Sequence, residues 1–215
     1  MSIWLFIKIF FSYLILRLKV AWDSIFTRST IARRYIRAYY SILINQLKVY
    51  NRPGLKAIEF GGSTQIIKNI LSEVDYQIAP NFPEVDIQNL EDYSSEEYDL
   101  VILDNVLEHV ENPFKAIQEI HRILKPGGTL LAIVPFLIYI HPTPDDYWRF
   151  TESGIRKLCE NFSEVKIYYW GNRVAAGLIN KYGFDLTIKQ ARFLLGFSLR
   201  NEKAYPVNYW FFAKK

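Results

Sequence analysis

Residues 98–136 read "YDLVILDNVLEHVENPFKAIQEIHRILKPGGTLLAIVPF". The opening "YDLVILDNV" is a continuous apolar run of the kind that fills the middle of a parallel sheet. "NPFKAIQEIHRILKPGG" then carries the marks of a helix. Asn112 can cap it, Pro113 suits its first turn, and Pro126-Gly127-Gly128 stops it. "TLLAIVPF" is a second apolar strand. Two buried strands joined by one helix through short connections predict a parallel strand–helix–strand unit.

The same alternation extends in both directions. Upstream, "LKAIEF" (55–60) is a short strand that runs into two glycines. "TQIIKNILSEV" follows with apolar residues at 66, 67, 70, 71 and 74, a helical spacing. "DYQIA" and "PEVDI" predict two further short strands. Downstream come "TESGIRKLCENF" (helix), "EVKIYYWG" (strand), a helical stretch near 187–196, and "NYWFFAKK" as a closing strand. The expected architecture is α/β, a parallel sheet with helices on both faces.

In open α/β sheets ligands bind outside the carboxyl ends of the strands. "AIEFGGST" (57–64) would lie there, with Glu59 at the end of an apolar strand and Gly61-Gly62 leading to a helix N-terminus. Missing side chains let a ligand approach the backbone, and free N–H groups favour a polar or anionic group. On the loop alone, a plain helix cap by Ser63 or Thr64 is the stronger reading. The wider text weighs for the ligand.

The block from Tyr98 to Phe136 resembles the second half of a class I S-adenosylmethionine-dependent methyltransferase, and is most similar to the small family called type 11. The strand, Leu107-Glu108-His109, the Pro-started helix, Leu124-Lys125-Pro126-Gly127-Gly128 and the next strand match in order and spacing. The resemblance covers roughly residues 55 to 170. It implies a Rossmann-like methyltransferase sheet, preceded here by N-terminal helices. It also implies S-adenosylmethionine as cofactor, held by Glu59, Gly61, Gly62 and Ser63 around its amino-acid part. Asp86 and Ile87 match the family's adenine-contacting pair, and Asp104 and Asn105 match the strand end beside the methionine moiety. Two departures stand out. The loop reads Gly-Gly-Ser-Thr-Gln instead of Gly-x-Gly-x-Gly, and Tyr76-Gln77-Ile78-Ala79 lacks the usual ribose-binding acid.

"HPTPDDYWRFT" (141–151) resembles a segment found in a subset of these enzymes, many of them in bacterial surface-polysaccharide gene clusters. A histidine with a carboxylate nearby can take a proton from a hydroxyl near neutral pH, which makes His141 and Asp145 the catalytic candidates. The competing reading is that the segment only docks the loop, with Trp148 and Phe150 packed inward and Arg149 paired to an aspartate. His109 and His121 read as structural or exposed.

Composition limits the remaining choices. Cys159 is the single cysteine, so no internal disulfide and no cysteine-rich metal site can form. No Cys/His metal spacing is present, and no metal is expected. Residues 1–52 carry nine Lys/Arg and one acid, against 17 basic and 21 acidic residues in the remainder. We read 1–52 as a basic amphipathic helical arm and 53–215 as the methyltransferase domain, divided at Asn51-Arg52-Pro53-Gly54. Within "MSIWLFIKIFFSYLILRLKVAW", Lys8 and Arg17 break the apolar run well short of the roughly 20 residues of a membrane span. Lys8, Ser12, Lys19 and Asp23 form one narrow polar stripe, a pattern suited to lying in a membrane interface.

The expected protein is therefore a cytoplasmic methyltransferase, peripheral to the inner face of a membrane through residues 1–37. Its expected acceptor is a glycan, a glycolipid or another small molecule. A quinone or lipid acceptor, or a cofactor-poor binding or scaffold subunit, are the alternatives. A homo-oligomer is compatible with the sequence. Nucleic acid is not an expected partner, because the basic residues lie on apolar helices and no stacking-rich groove is evident.

Overall fold

The computed structural model describes residues 42–61, 66–142, 144–183 and 201–215. The basic arm through residue 41 and the helical stretch near 187–196 lie outside them. Ten elements follow in chain order: β1 (Lys56–Phe60), α1 (Ile66–Ile70), β2 (Asp75–Ile78), β3 (Tyr98–Asp104), α2 (Pro113–Ile123), β4 (Leu124–Pro135), α3 (Glu152–Leu158), β5 (Glu164–Trp170), α4 (Arg173–Tyr182) and β6 (Asn208–Lys214). The strands form one six-stranded sheet in the order β2-β1-β3-β4-β6-β5. β2, β1, β3 and β4 run parallel, whereas β6 is antiparallel to both β4 and β5.

β3 is central, as its unbroken apolar run predicts, and Leu100 to Leu103 are fully buried. Alternate residues of each strand face opposite sides, giving two cores. On one side Ile58, Val101, Leu103, Leu130 and Phe211 pack against Ile117 and Ile120 of α2 and Ile155 of α3. On the other Ala57, Leu100, Ile102, Leu131 and Trp210 pack against Ile67, Leu71 and Ile179. Each such side chain contributes roughly 1.5–3 kcal/mol relative to exposure, so both faces of the sheet are required for stability.

Residues 42–47, which are helical, complete the second core. Leu43 and Leu47 have no exposed surface, and the Trp210 indole donates to Gln46 Oε1 at 2.8 Å. Leu43 and Leu47, upstream of the exposed turn at 52–54, thus share a core with the sheet.

Helix ends follow the sequence closely at one terminus and less so at the other. Asn112 Oδ1 accepts from Lys115 N at 3.1 Å, with Pro113 at the first helical position of α2. Thr151 caps α3 in the same way. α2 stops at Ile123, however, three residues before Pro126, because Leu124 already pairs with Tyr98 across the sheet. Gly128 belongs to the irregularity that follows. A Cβ there would lie 2.9 Å from Lys125 O and 3.1 Å from Tyr98 O.

Two other expectations need correction. "PEVDI" is not a strand: residues 82–84 and 87–88 are turns. Asp86 Oδ1 accepts from Gln88 N at 2.9 Å, an Asx turn that diverts the backbone from a ladder. Arg122 then clamps the following segment onto α2, donating to Leu90 O (2.7 Å) and Tyr93 O (2.9 Å). α4 was not anticipated at all, although Asn172 caps it through Ala175 N and Gly183 follows its end. Among the described residues no helix is long and apolar enough to cross a membrane.

Candidate functional site at the carboxyl ends of the strands

β1 and β3 are neighbours, and each ends in a backbone reversal. Gly61 has φ +78° and Asn105 has φ +55°. Asparagine is among the few side chains that tolerate that region. The two reversals touch. A Cβ on Gly61 would lie 2.3 Å from Val106 Cγ2 and 2.8 Å from Asp104 O, so the space beside this glycine is filled by the chain itself. Gly62 and Ser63, the remaining loop residues assigned to the cofactor, lie outside the described residues.

Glu59 and Asp104 occupy the same face of adjacent strands, and both are buried. Tyr76 OH donates to Glu59 Oε2, and Asn105 Nδ2 donates to Asp104 Oδ1 at 2.7 Å. Burial holds the Glu59 carboxyl above the ordinary value; the Tyr76 hydrogen bond opposes this, and the nearby Asp104 charge adds to it. Two carboxyl groups have thus been placed together at an apolar strand end, which favours a cationic ligand group.

Asn105 redirects the chain into a single 3-10 turn, Leu107–His109, which buries Glu108 completely. Neither Glu108 carboxylate oxygen has a hydrogen-bond partner among the described residues. Burial pushes its pKa up to about 8, opposed by Arg149 and reinforced by Asp146 and Asp104. The segment after β4 folds back over this turn. Tyr147 N and Trp148 N both donate to Glu108 O, at 2.7 and 3.2 Å, and the Trp148 indole donates to Val110 O at 2.8 Å.

This return brings His141 to the carboxylate. His141 Nε2 lies 4.0 Å from Glu108 Oε1, and His109 Nε2 lies 3.8 Å from the same atom. The imidazoles meet edge to face, 5.1 Å between centroids. The carboxylate beside His141 belongs to Asp146 and not to Asp145. Asp146 Oδ2 accepts from His141 N at 2.8 Å and sits 3.3 Å from its Nδ1. Arg149 donates to both oxygens of Asp146 and, against the opposing effect of burial, holds its pKa down at about 2. Asp145 is exposed, with its carboxylate 3.3 Å from Tyr147 OH. Phe150 is buried and Arg149 pairs with Asp146, as the docking reading expects, whereas the Trp148 ring stays exposed; a histidine–carboxylate cluster accompanies these contacts.

The adenine-side pair has its own contacts. Asp86 is engaged by Gln88, and Ile87 is 5% exposed and packed within the core beside Phe60 and Leu90. The residues that sequence reasoning passed over are Glu108, His109 and Asp146. The signal for Glu108 was available, because an acid between Leu107 and the apolar Val110 needs a reason to be buried. A shallow cavity of about 220 Å³ lies at the opposite, amino-terminal end of the sheet, lined in part by Thr129, Glu164 and Lys214.

Residues 54–132 match the model of a family described as a methyltransferase domain. A polyketide synthase of Dictyostelium discoideum is 32% identical over 130 residues, 54% of this chain, which spans only 5% of that relative's length. A SAM-dependent methyltransferase from Archaeoglobus fulgidus shares the fold, with a TM-score of 0.52 and 14% identity over 81% of this chain and 94% of its own. A phosphoethanolamine N-methyltransferase of Haemonchus contortus, solved with phosphomonomethylethanolamine and S-adenosylhomocysteine, superposes with a TM-score of 0.53 and 13% identity over 82% of this chain and 52% of its own. Residues 54–132 are thus similar to a methyltransferase domain, and the sheet shares the fold of the S-adenosylmethionine-dependent methyltransferase from Archaeoglobus fulgidus.

Proposed function

We propose that this protein methylates a hydroxyl oxygen of a small-molecule acceptor, with S-adenosylmethionine as donor. The observation that carries the reading is the gathering of buried Glu59, Asp104 and Glu108 at the carboxyl ends of β1 and β3. Nothing in packing rewards three neighbouring acids there, whereas a ligand bearing positive charge does. The residues present suit that cofactor: Glu59 and Asp104 would hold its cationic portion, and Gly61 supplies the tight turn beside them. When bound, the cofactor supplies a methyl group already activated on sulfonium, so positioning is the main demand on the protein.

The acceptor needs a different service, namely loss of the hydroxyl proton. Glu108, His109 and His141 direct their lone pairs to one place between the ends of β3 and β4. The rings of Tyr139, Tyr147 and Trp148 on the same returning segment are exposed, and that of Tyr139 lies 6.5 Å from His141. The functions named for these similar proteins, polyketide synthesis and phosphoethanolamine methylation, favour small acceptors of this kind. A glycan or glycolipid headgroup is our preferred class, on the resemblance of residues 141–151, and the basic amphipathic arm would present the enzyme to an anionic membrane surface.

Calorimetric titration of the full chain with S-adenosylmethionine and S-adenosylhomocysteine tests the reading. Both should bind, and Glu59→Gln should weaken S-adenosylmethionine by roughly 10–100-fold, the loss expected for a hydrogen bond to a charged group. Absence of heat with either ligand would overturn it.

A further inference from the structure

We infer that Glu108, His109 and His141 form a site for one divalent first-row transition-metal ion, zinc being the type case. The inference rests on the methyltransferase reading and specifies how the acceptor hydroxyl is activated. Among the described residues, these three offer one donor atom each, all within 4.8 Å of one another.

The orientation of the rings is the first argument. His109 Nδ1 is engaged by the carbonyl oxygen of Asp145, which can only accept, so Nδ1 carries the proton and Nε2 keeps its lone pair. His141 repeats this with the carbonyl oxygen of Tyr139, 3.4 Å from its Nδ1, and Asp146 Oδ2 lies 3.3 Å from the same nitrogen. Arg149 Nη2 also approaches that Nδ1, but at the longer distance of 3.5 Å. Both Nε2 atoms therefore point free lone pairs toward Glu108. An imidazole tied at one nitrogen by a carboxylate or carbonyl and open at the other is the usual arrangement of a metal-bound histidine.

Glu108 is the second, independent argument. Its side chain has no exposed surface and no hydrogen-bond partner among the described residues, and Oε1 lies between the two imidazoles. A buried carboxylate left unpaired costs stability, and a cation bonded to it removes that cost. Zinc–nitrogen and zinc–oxygen bonds near 2.1 Å place tetrahedral ligands about 3.4 Å apart. The observed 3.8 and 4.0 Å need only small side-chain rotations to close. Two imidazoles and one carboxylate favour a transition ion over magnesium or calcium and leave coordination positions open. An acceptor hydroxyl at one of them would give up its proton to water near neutral pH, keeping the O–H electron pair on oxygen for the methyl group.

The test uses full-chain protein stripped with EDTA and titrated separately with Zn²⁺ and Co²⁺. One equivalent should bind with micromolar or tighter affinity, and Co²⁺ should develop visible absorption. His141→Ala and Glu108→Gln should each weaken binding at least ten-fold, and Asp146→Asn by about 10–100-fold through the ring it orients. S-adenosylmethionine titration of the same samples is the separate readout. Should Glu108→Gln fail to fold, His141→Ala, on the outer loop, carries the test. Protein that binds S-adenosylmethionine but takes up neither ion, or takes it up undiminished in all three variants, overturns the metal site and leaves the methyltransferase reading standing. Protein that binds neither cofactor nor ion overturns both.

Discussion

Gly61→Ala probes the contact on which the site is built. The residue has φ +78°, which costs an L-residue about 1–2 kcal/mol. Its new Cβ would also stand 2.3 Å from Val106 Cγ2 and 2.8 Å from the Asp104 carbonyl oxygen. Valine is stiff at χ1 and the carbonyl belongs to β3, so neither gives way freely. Forced overpacking adds about 1–3 kcal/mol. The expected loss is therefore roughly 2–5 kcal/mol, or roughly 4–20 °C in Tm for a chain of this size. Denaturant unfolding and calorimetry of Gly61→Ala, Val106→Ala and the double variant separate the two causes. Val106→Ala opens the 2.3 Å contact but relieves neither φ nor the carbonyl. The double variant should thus be less damaged than the sum of the singles by about 1–2 kcal/mol, while remaining below Val106→Ala alone. A Gly61→Ala protein within 0.5 kcal/mol (approximately) of the parent would refute the proposed contact between the two strand ends.

Arg122→Ala removes the bonds to Leu90 O and Tyr93 O and should cost about 1.5–3 kcal/mol. Hydrogen exchange should show lost protection confined to residues near 90–97. Cys159 is buried, and burial pushes its thiol up to about 12, so at pH 8 only about 10⁻⁴ of it is thiolate. Thiol reagents should label it only after unfolding, and rapid native labelling would contradict the placement of α3. For the basic arm, flotation with anionic liposomes should carry the full chain but not a chain beginning at Ser41, a cut that spares buried Leu43 and Leu47. Equal flotation of the two would dismiss the membrane role.

The sequence made the β3–α2–β4 unit legible because each local signal there agrees with the tertiary result. The apolar run, the Asn112 cap and Pro113 all lie where the structure uses them. Legibility failed where a side chain outranked periodicity. "PEVDI" alternates like a strand, yet Asp86 bonds its own backbone and Arg122 holds the next residues to a helix. α4 was missed because Ala175, Ala176 and Gly177 give a weak apolar stripe, and its buried residues emerge only against Trp210 and Trp170. At the site, spacing could indicate that His141 has an acid close by in sequence. It could not choose between Asp145 and Asp146, because that choice depends on which one Arg149 engages. His109 and Glu108 are 32 and 33 residues from His141, and only the loop's return over the 3-10 turn joins them.

The structural economy of this edge of the sheet supports a ligand-binding role over an inert one. An isolated buried acid is tolerated when hydrogen bonds satisfy it, as Asn105 does in part for Asp104 and Tyr76 for Glu59. Glu108 receives no such partner among the described residues, and leaving a buried polar group unpaired costs about 1–3 kcal/mol or more. Leucine at 108 would remove that cost and extend the apolar surface formed by Leu107 and Val110. The chain instead places an unusual backbone conformation at Asn105, which turns that acid inward, and lays a second segment over it through Tyr147 N and Trp148 N. The positive φ and the unpaired acid oppose stability locally, and with the overlying segment they bring donor atoms from separate parts of the chain together. Strain and unpaired polarity that converge in this way are accounted for by what binds there.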